Sequence, residues 1–315
     1  MARRRRGRAL TGWIAVDKPA GVSSATVVNR IRWQLQAQKA GHAGTLDPDA
    51  TGLLIVALGE ATKAVASLTD ALKTYDFEVA WGTATDTDDA SGTAIATTDR
   101  RPSEAAIRAA LPAFRGDILQ TPPQVSAVKI AGARAYDLVR SGAAPTLTAR
   151  PLHVAALELT GVSSESAQFR MVCGKGGYVR AVARDLGAAL GCLGHAAWLR
   201  RTQSGGFTLA GAHRFDPEGP DRDPALEAAI RPLEAGLSHL PRCLCSDQAA
   251  ARIRQGNPAE VFATPAEDGA LVWVGAPAPL ALGLYRGGWI YPKRVFNLQR
   301  SAPESDLHPE RSRQS

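Results

Sequence analysis

Tyr75, Phe77, Val79 and Trp81 alternate with more polar residues, the period-two signature of a strand with one buried face. Trp13-Ile14-Ala15-Val16 and Leu53 to Leu58 are short continuous apolar runs, which suits buried strands. Val27, Val28, Ile31 and Leu35 follow the helical period, with Ser23 or Ser24 able to cap the start. Thr62 to Leu72, Ser103 to Leu111, Ala133 to Arg140 and Val179 to Leu190 read as further helices. Val125 to Ile130, 152–160 and 166–174 read as strands. Strands and helices interleave without regular βαβ spacing. The pattern predicts an α+β fold on an extended mixed, mainly antiparallel sheet.

Pro, Glu and Arg become frequent over 217–242, which predicts a linker. Beyond it, strand candidates at Val261-Phe262, Ala270 to Val274 and Leu280 to Tyr285 are broken by Gly and Pro, as in a small β-rich module. The expected divisions are a flexible basic arm at 1–10, a main domain at 11–238, the β-rich module at 239–300 and a disordered tail at 301–315.

The chain has 315 residues and a formal net charge of +7, which favours a polyanionic partner such as nucleic acid. Its four cysteines, Cys173, Cys192, Cys243 and Cys245, lack zinc-knuckle spacing, so free thiols and no metal are expected. No apolar run approaches a membrane span, and no apolar signal core follows the N-terminal arginines. A cytoplasmic monomer with no membrane partner is the expectation.

The segment Gly41-His42-Ala43-Gly44-Thr45-Leu46-Asp47-Pro48 continues through Asp49-Ala50-Thr51-Gly52. Its glycines permit positive φ and close backbone approach. Pro48 biases Asp47 toward an extended conformation. A carboxylate thus sits on a constrained loop between a helix and a buried strand. Such a loop can carry a catalytic group or be an ordinary Asp-Pro turn, and its own residues weigh equally for both.

Five further segments, in order along the chain, sharpen that choice. They are Asp17-Lys18-Pro19-Ala20-Gly21-Val22-Ser23-Ser24; Lys73-Thr74-Tyr75 with Gly82 and Thr85 to Asp88; Pro122 to Lys129; Lys175-Gly176-Gly177-Tyr178-Val179-Arg180 with Asp185-Leu186-Gly187; and Leu199-Arg200-Arg201-Thr202. With the Asp47 loop they resemble the motifs of the TruB family, the tRNA pseudouridine-55 synthases, over roughly residues 12–215. Ala43, Ser23 and Gly177 depart from the residues common in the family, but none replaces a charged or aromatic motif group.

The resemblance implies a pseudouridine synthase catalytic domain with a PUA-like RNA-binding module, acting on the T-arm of tRNA. The reaction breaks the N1–C1′ bond of uridine, turns the base and joins C5 to C1′. No atom enters or leaves, so no cofactor or metal is expected. The base must first be flipped out, at a cost of a few kcal/mol. Asp47 is then the nucleophile, on C6 or on C1′. Arg180 pairs with it, since a nearby cation favours the ionised carboxylate. Tyr75 stacks on the uracil and can take the C5 proton. Tyr178 and Leu199 wall the pocket. His42 occupies or supports the space left by the flipped nucleotides. Lys18 and Lys129 either meet RNA phosphates or support the motif loops. A tRNA-binding protein without chemistry would need the basic surface but not Asp47. A glycoside hydrolase would need a second motif carboxylate, and only Asp49 lies near.

Overall fold

The computed structural model describes residues 7–126, 128–130, 133–135, 146–219, 222–275 and 278–298. Its main sheet contains β1 (Gly12–Lys18), β2 (Ala40–Ala43), β3 (Thr51–Leu58), β4 (Lys73–Trp81), β5 (Gly116–Gln120), β6 (Arg150–Val162), β7 (Ser166–Cys173), β8 (Gly194–Ser204) and β9 (His213–Arg214). The strand order is β9-β1-β3-β8-β4-β7-β6-β5, with β2 also on β3 and Phe207–Thr208 on β8. Two pairings, β1–β9 and β3–β8, are parallel. The others named here are antiparallel. The expected α+β class and mixed sheet are therefore present.

β4 buries every second side chain, as its alternation predicts. Phe77 faces Phe169 of β7 directly, and their rings stack at 5.4 Å between centroids. Such a pair adds about 0.5–1.5 kcal/mol to its area burial. In β3 every residue from Gly52 to Leu58 is buried.

Helix α1 (Ser24–Gln34) is capped by Ser23, whose Oγ accepts from the Thr26 N–H, and it buries Val27, Val28 and Ile31. The helix expected over Thr62 to Leu72 is a 3₁₀ turn (Gly59–Ala64) followed by α2 (Val65–Asp70). α3 (Glu104–Ala110) is capped by Ser103 as expected, and α4 (Val179–Ala189) follows the Lys175–Tyr178 turn. Two expectations need correction. The strand read over Val125 to Ile130 is reduced to Lys129–Ile130, and its partner is Ala133–Arg134, read as the start of a helix. A backbone pairing two residues long leaves too little pattern to read. Residues 136–140 of that expected helix lie outside the described residues, as do 1–6 of the arm and all of the 301–315 tail.

The segment read as a linker is instead packed structure. Leu226, Leu233 and Leu237 are buried. Trp13 and Arg231 exchange two backbone hydrogen bonds of 2.8 and 2.7 Å. The Trp13 indole also donates to the Leu233 carbonyl at 2.9 Å. The chain divides after Pro241 into two units. The second carries a five-stranded sheet in the order Arg242–Cys243, Leu271–Gly275, Pro279–Arg286, Trp289–Val295, Ala259–Glu260. Cys243, Ile253, Val272, Val274, Ala281 and Ile290 form much of its core. Ala259–Glu260 takes the strand place expected of Val261-Phe262. No described helix is long and apolar enough to cross a membrane.

Candidate active site

β2 and β8 share one edge of β3. β2 pairs with Ile55 to Leu58, and β8 pairs with Thr51 and Gly52. The loop 44–50 emerges in the gap between them. Gly44 takes φ +82°, a left-handed conformation that side chains disfavour. Side chains from elsewhere in the chain then fix the loop backbone. Ser24 Oγ accepts from the Leu46 N–H at 2.9 Å and donates to the Leu46 carbonyl at 2.8 Å. Lys18 Nζ donates to the Pro48 carbonyl at 2.8 Å. Arg201 donates to the Gly44 carbonyl at 2.9 Å. Within the loop, the Ala50 N–H closes a turn onto the Asp47 carbonyl at 3.2 Å. The Asp47 carboxylate remains 41% exposed, on a backbone held almost residue by residue.

Arg180, in the first turn of α4, is 5% exposed and meets that carboxylate. Its Nε donates to Asp47 Oδ2 at 2.8 Å and lies 3.4 Å from Asp89 Oδ2. Its other nitrogens donate to the Thr87 carbonyl at 2.8 Å and the Val125 carbonyl at 3.0 Å. The guanidinium thus has a fixed direction, as a fork with several acceptors must. One helical turn on, Arg184 donates to Asp88 and to the Thr121 carbonyl at 2.8 and 2.7 Å. Gln120 bonds the Tyr178 backbone both ways, at 2.9 Å to its N–H and 3.1 Å to its carbonyl.

Asp47, Tyr75, Tyr178, Arg180, Leu199 and Arg201 line one cavity of about 240 Å³. That is smaller than the roughly 300–1,000 Å³ typical of small-molecule pockets. Burial raises the Tyr75 phenol above its ordinary range, with Arg201 pulling the other way. Burial, with the charge of Asp47, also raises Tyr178. Both phenols are therefore neutral donors near pH 7. The cavity combines one arginine-held carboxylate with aromatic and aliphatic walls, which suits nucleophilic chemistry on one flat ring.

Five of the eight residues named from the sequence meet in this cavity: Asp47, Tyr75, Tyr178, Arg180 and Leu199. His42 lies on β2 and is not among the lining residues. Burial, aided by the charge of Arg201, lowers its pKa, so it is neutral at pH 7. Of the two roles expected of Lys18, the geometry favours loop support. The side chain is fully buried and donates to the Pro19, Val22 and Pro48 carbonyls at 2.8 Å each. All three of its N–H groups are used, so it supports the loop and offers no donor to a phosphate. The Lys129 side chain lies outside the described residues. Sequence reading passed over Ser24 as a loop anchor, along with Asp89, Gln120 and Arg201. Ser24 and Arg201 stood inside quoted motifs, and only the motif context could have pointed to them. Among the described residues no group of three or more His, Cys, Asp or Glu side chains could hold a metal ion.

Comparison with known proteins places the chain in a family. Residues 32–179 match the TruB family pseudouridylate synthase N-terminal domain, and 180–238 match the tRNA pseudouridylate synthase B C-terminal domain. The chain belongs to the TruB family of pseudouridine synthases. The proteins named tRNA pseudouridine synthase B of Paracoccus denitrificans and Cereibacter sphaeroides are 57% and 55% identical to it. The first match covers 94% of this chain and 99% of the relative, the second 95% and 100%. Among solved structures, a chain of a Cbf5-Nop10-Gar1 complex superposes with a TM-score of 0.71 at 27% identity, over 91% of this chain and 85% of that one. This TruB-family chain is accordingly an isomerase. The border between its two matched regions falls between Val179 and Arg180, so its Asp47–Arg180 pair joins one region to the other.

Proposed function

We propose that this enzyme converts the uridine at position 55 in the T-loop of tRNA to pseudouridine, with Asp47 as the nucleophile. One observation carries the reading: Asp47, held at 2.8 Å by a buried Arg180, opens into a small cavity walled by Tyr75, Tyr178 and Leu199. The net positive charge suits an RNA partner, and the relatives described above are named tRNA pseudouridine synthase B. The T-loop site follows from the resemblance of the motifs.

A uridine flipped into the cavity places its ring between the aromatic walls. Arg180 pairs with the carboxylate and aims it, so Asp47 attacks C6 or C1′. The N1–C1′ bond breaks, the uracil turns, and C5 joins C1′. The C5 proton then leaves to a base, a role Tyr75 in the cavity wall fills only once its own phenolic proton has been given up. His42 fills the space left by the flipped nucleotides, Lys129 meets phosphate, and the β-rich unit after Pro241 grips the tRNA as a PUA-like module.

The test is tritium release from tRNA labelled at uridine C5. The wild type releases tritium, while Asp47→Asn and Asp47→Ala release none and still bind tRNA. Release by both variants at the wild-type rate would refute the role of Asp47. Binding without release by the wild type would favour a tRNA-binding protein that does no chemistry. Primer extension after carbodiimide treatment locates the product in the T-loop.

A further inference from the structure

We infer that Arg201 is a positioning residue for the isomerisation, fixing the Asp47 loop from the side on which Tyr75 stands. The inference rests on the reading of the cavity as a uridine site. Arg201 is 1% exposed. Its Nε donates to the Leu53 carbonyl at 2.7 Å, and its terminal nitrogens to the Gly44 carbonyl at 2.9 Å and the Thr45 carbonyl at 3.5 Å. The Gly44 and Thr45 bonds hold the first turn of the loop, and the Leu53 bond ties that turn to β3. Directly across the sheet, Arg201 faces Tyr75 on β4, and both line the cavity.

The chemistry of this placement is unusual for a structural residue. Among the described residues Arg201 makes no ion pair; it donates to three carbonyl groups and meets the Tyr75 phenol. Burying a cation without a counter-charge costs several kcal/mol, and apolar side chains commonly fill such positions with less loss. Its field reaches into the site, where it opposes protonation of His42, Lys18 and Lys73. It also works against the burial that raises the Tyr75 phenol. A fixed positive charge beside a phenol helps that phenol take up negative charge while a proton moves. A planar fork holds two loop carbonyls and a strand carbonyl from donors spread over a rigid plane, a reach and direction that the single point of an ammonium does not reproduce.

Arg201→Lys and Arg201→Gln test this, with three readouts on the full-length enzyme. These are tRNA affinity, the single-turnover rate of tritium release at saturating enzyme, and hydrogen–deuterium exchange in peptides covering 44–48. For Arg201→Lys the expected result is an affinity within about threefold of wild type, a rate at least about 100-fold lower, and faster exchange confined to the loop. Arg201→Gln, if it folds, should lose at least as much rate. A rate within about fivefold of wild type for Arg201→Lys would overturn the inference. So would a lost rate with unchanged loop exchange, because the residue would then act by another route. So would a rate that recovers fully once binding is saturated. If the wild type released no tritium, the pseudouridylation reading would fail separately, and loop exchange alone would judge Arg201 as the clamp.

Discussion

The Lys18 ammonium donates to the Pro48 carbonyl, thirty residues away, at 2.8 Å. Burial lowers its pKa to about 8, against the pull of Asp49 and Asp47. The unfolded chain carries a lysine of ordinary pKa near 10.4. Between about pH 8 and that value the unfolded state binds more protons at this site, so its contribution to stability rises with pH. Wild type should therefore gain on Lys18→Met by roughly 1–2 kcal/mol between about pH 7 and 9.5. Urea unfolding of both proteins across that range checks this, since other titrations cancel in the difference. Parallel curves would contradict the burial of a charged Lys18.

Arg180→Met should remove the partner of Asp47 and leave the Thr87 and Val125 carbonyls without their donor. The expected loss is about 100- to 1,000-fold in single-turnover rate, the scale of removing one preorganised charged group. Arg180→Lys should lose less, because it restores charge without the fork. Rates at saturating enzyme, beside tRNA affinity, separate loss of chemistry from loss of binding.

Gly52 combines φ +96° with a position where a Cβ would lie 2.3 Å from the Arg201 carbonyl oxygen. Gly52→Ala should destabilise by about 3 kcal/mol or more, because backbone must move at the β3–β8 junction. Gly211 has φ +75° with open space around it, so Gly211→Ala should cost only about 1 kcal/mol. Denaturant midpoints of the two variants give the contrast.

Ser24→Ala leaves both the N–H and the carbonyl of buried Leu46 without their side-chain partner. The expected cost is about 1–3 kcal/mol, together with a lower rate at unchanged tRNA affinity. Ser23→Ala removes the helix cap and an exposed hydroxyl contact with Thr26, so it should cost about 1 kcal/mol and spare the rate. Thermal melts and tritium release on the pair distinguish anchor from cap.

Much of this was legible in the chain. β4 announced itself because one face is buried and the other is not, and the Asp47 loop because its motif is dense in Gly and Pro. β8, which lies between β3 and β4, left no such trace. Register shifts between Ala196 and Trp198 and between Arg201 and Gln203 break its period of two. Its arginine is buried where a reader expects an apolar residue. The partners of Arg201 lie some 150 residues away, a relation no local window contains. The 217–242 segment misled for the same reason, because its pairing of Arg231 with Trp13 is entirely non-local.

The gap between β2 and β8 along the edge of β3 carries an evolutionary consequence. The Leu53 carbonyl lies in that gap and receives a hydrogen bond from Arg201, so a side chain stands in for the strand that is missing there. The stretch from Gly44 to Ala50 is measured against that edge at both ends. Point changes away from Gly44 and Asp47 can drift, but an inserted or deleted residue would pull Gly44 off its guanidinium or shift β3 against β8. The length of this loop should therefore be more strictly inherited than the identity of its residues other than Gly44 and Asp47.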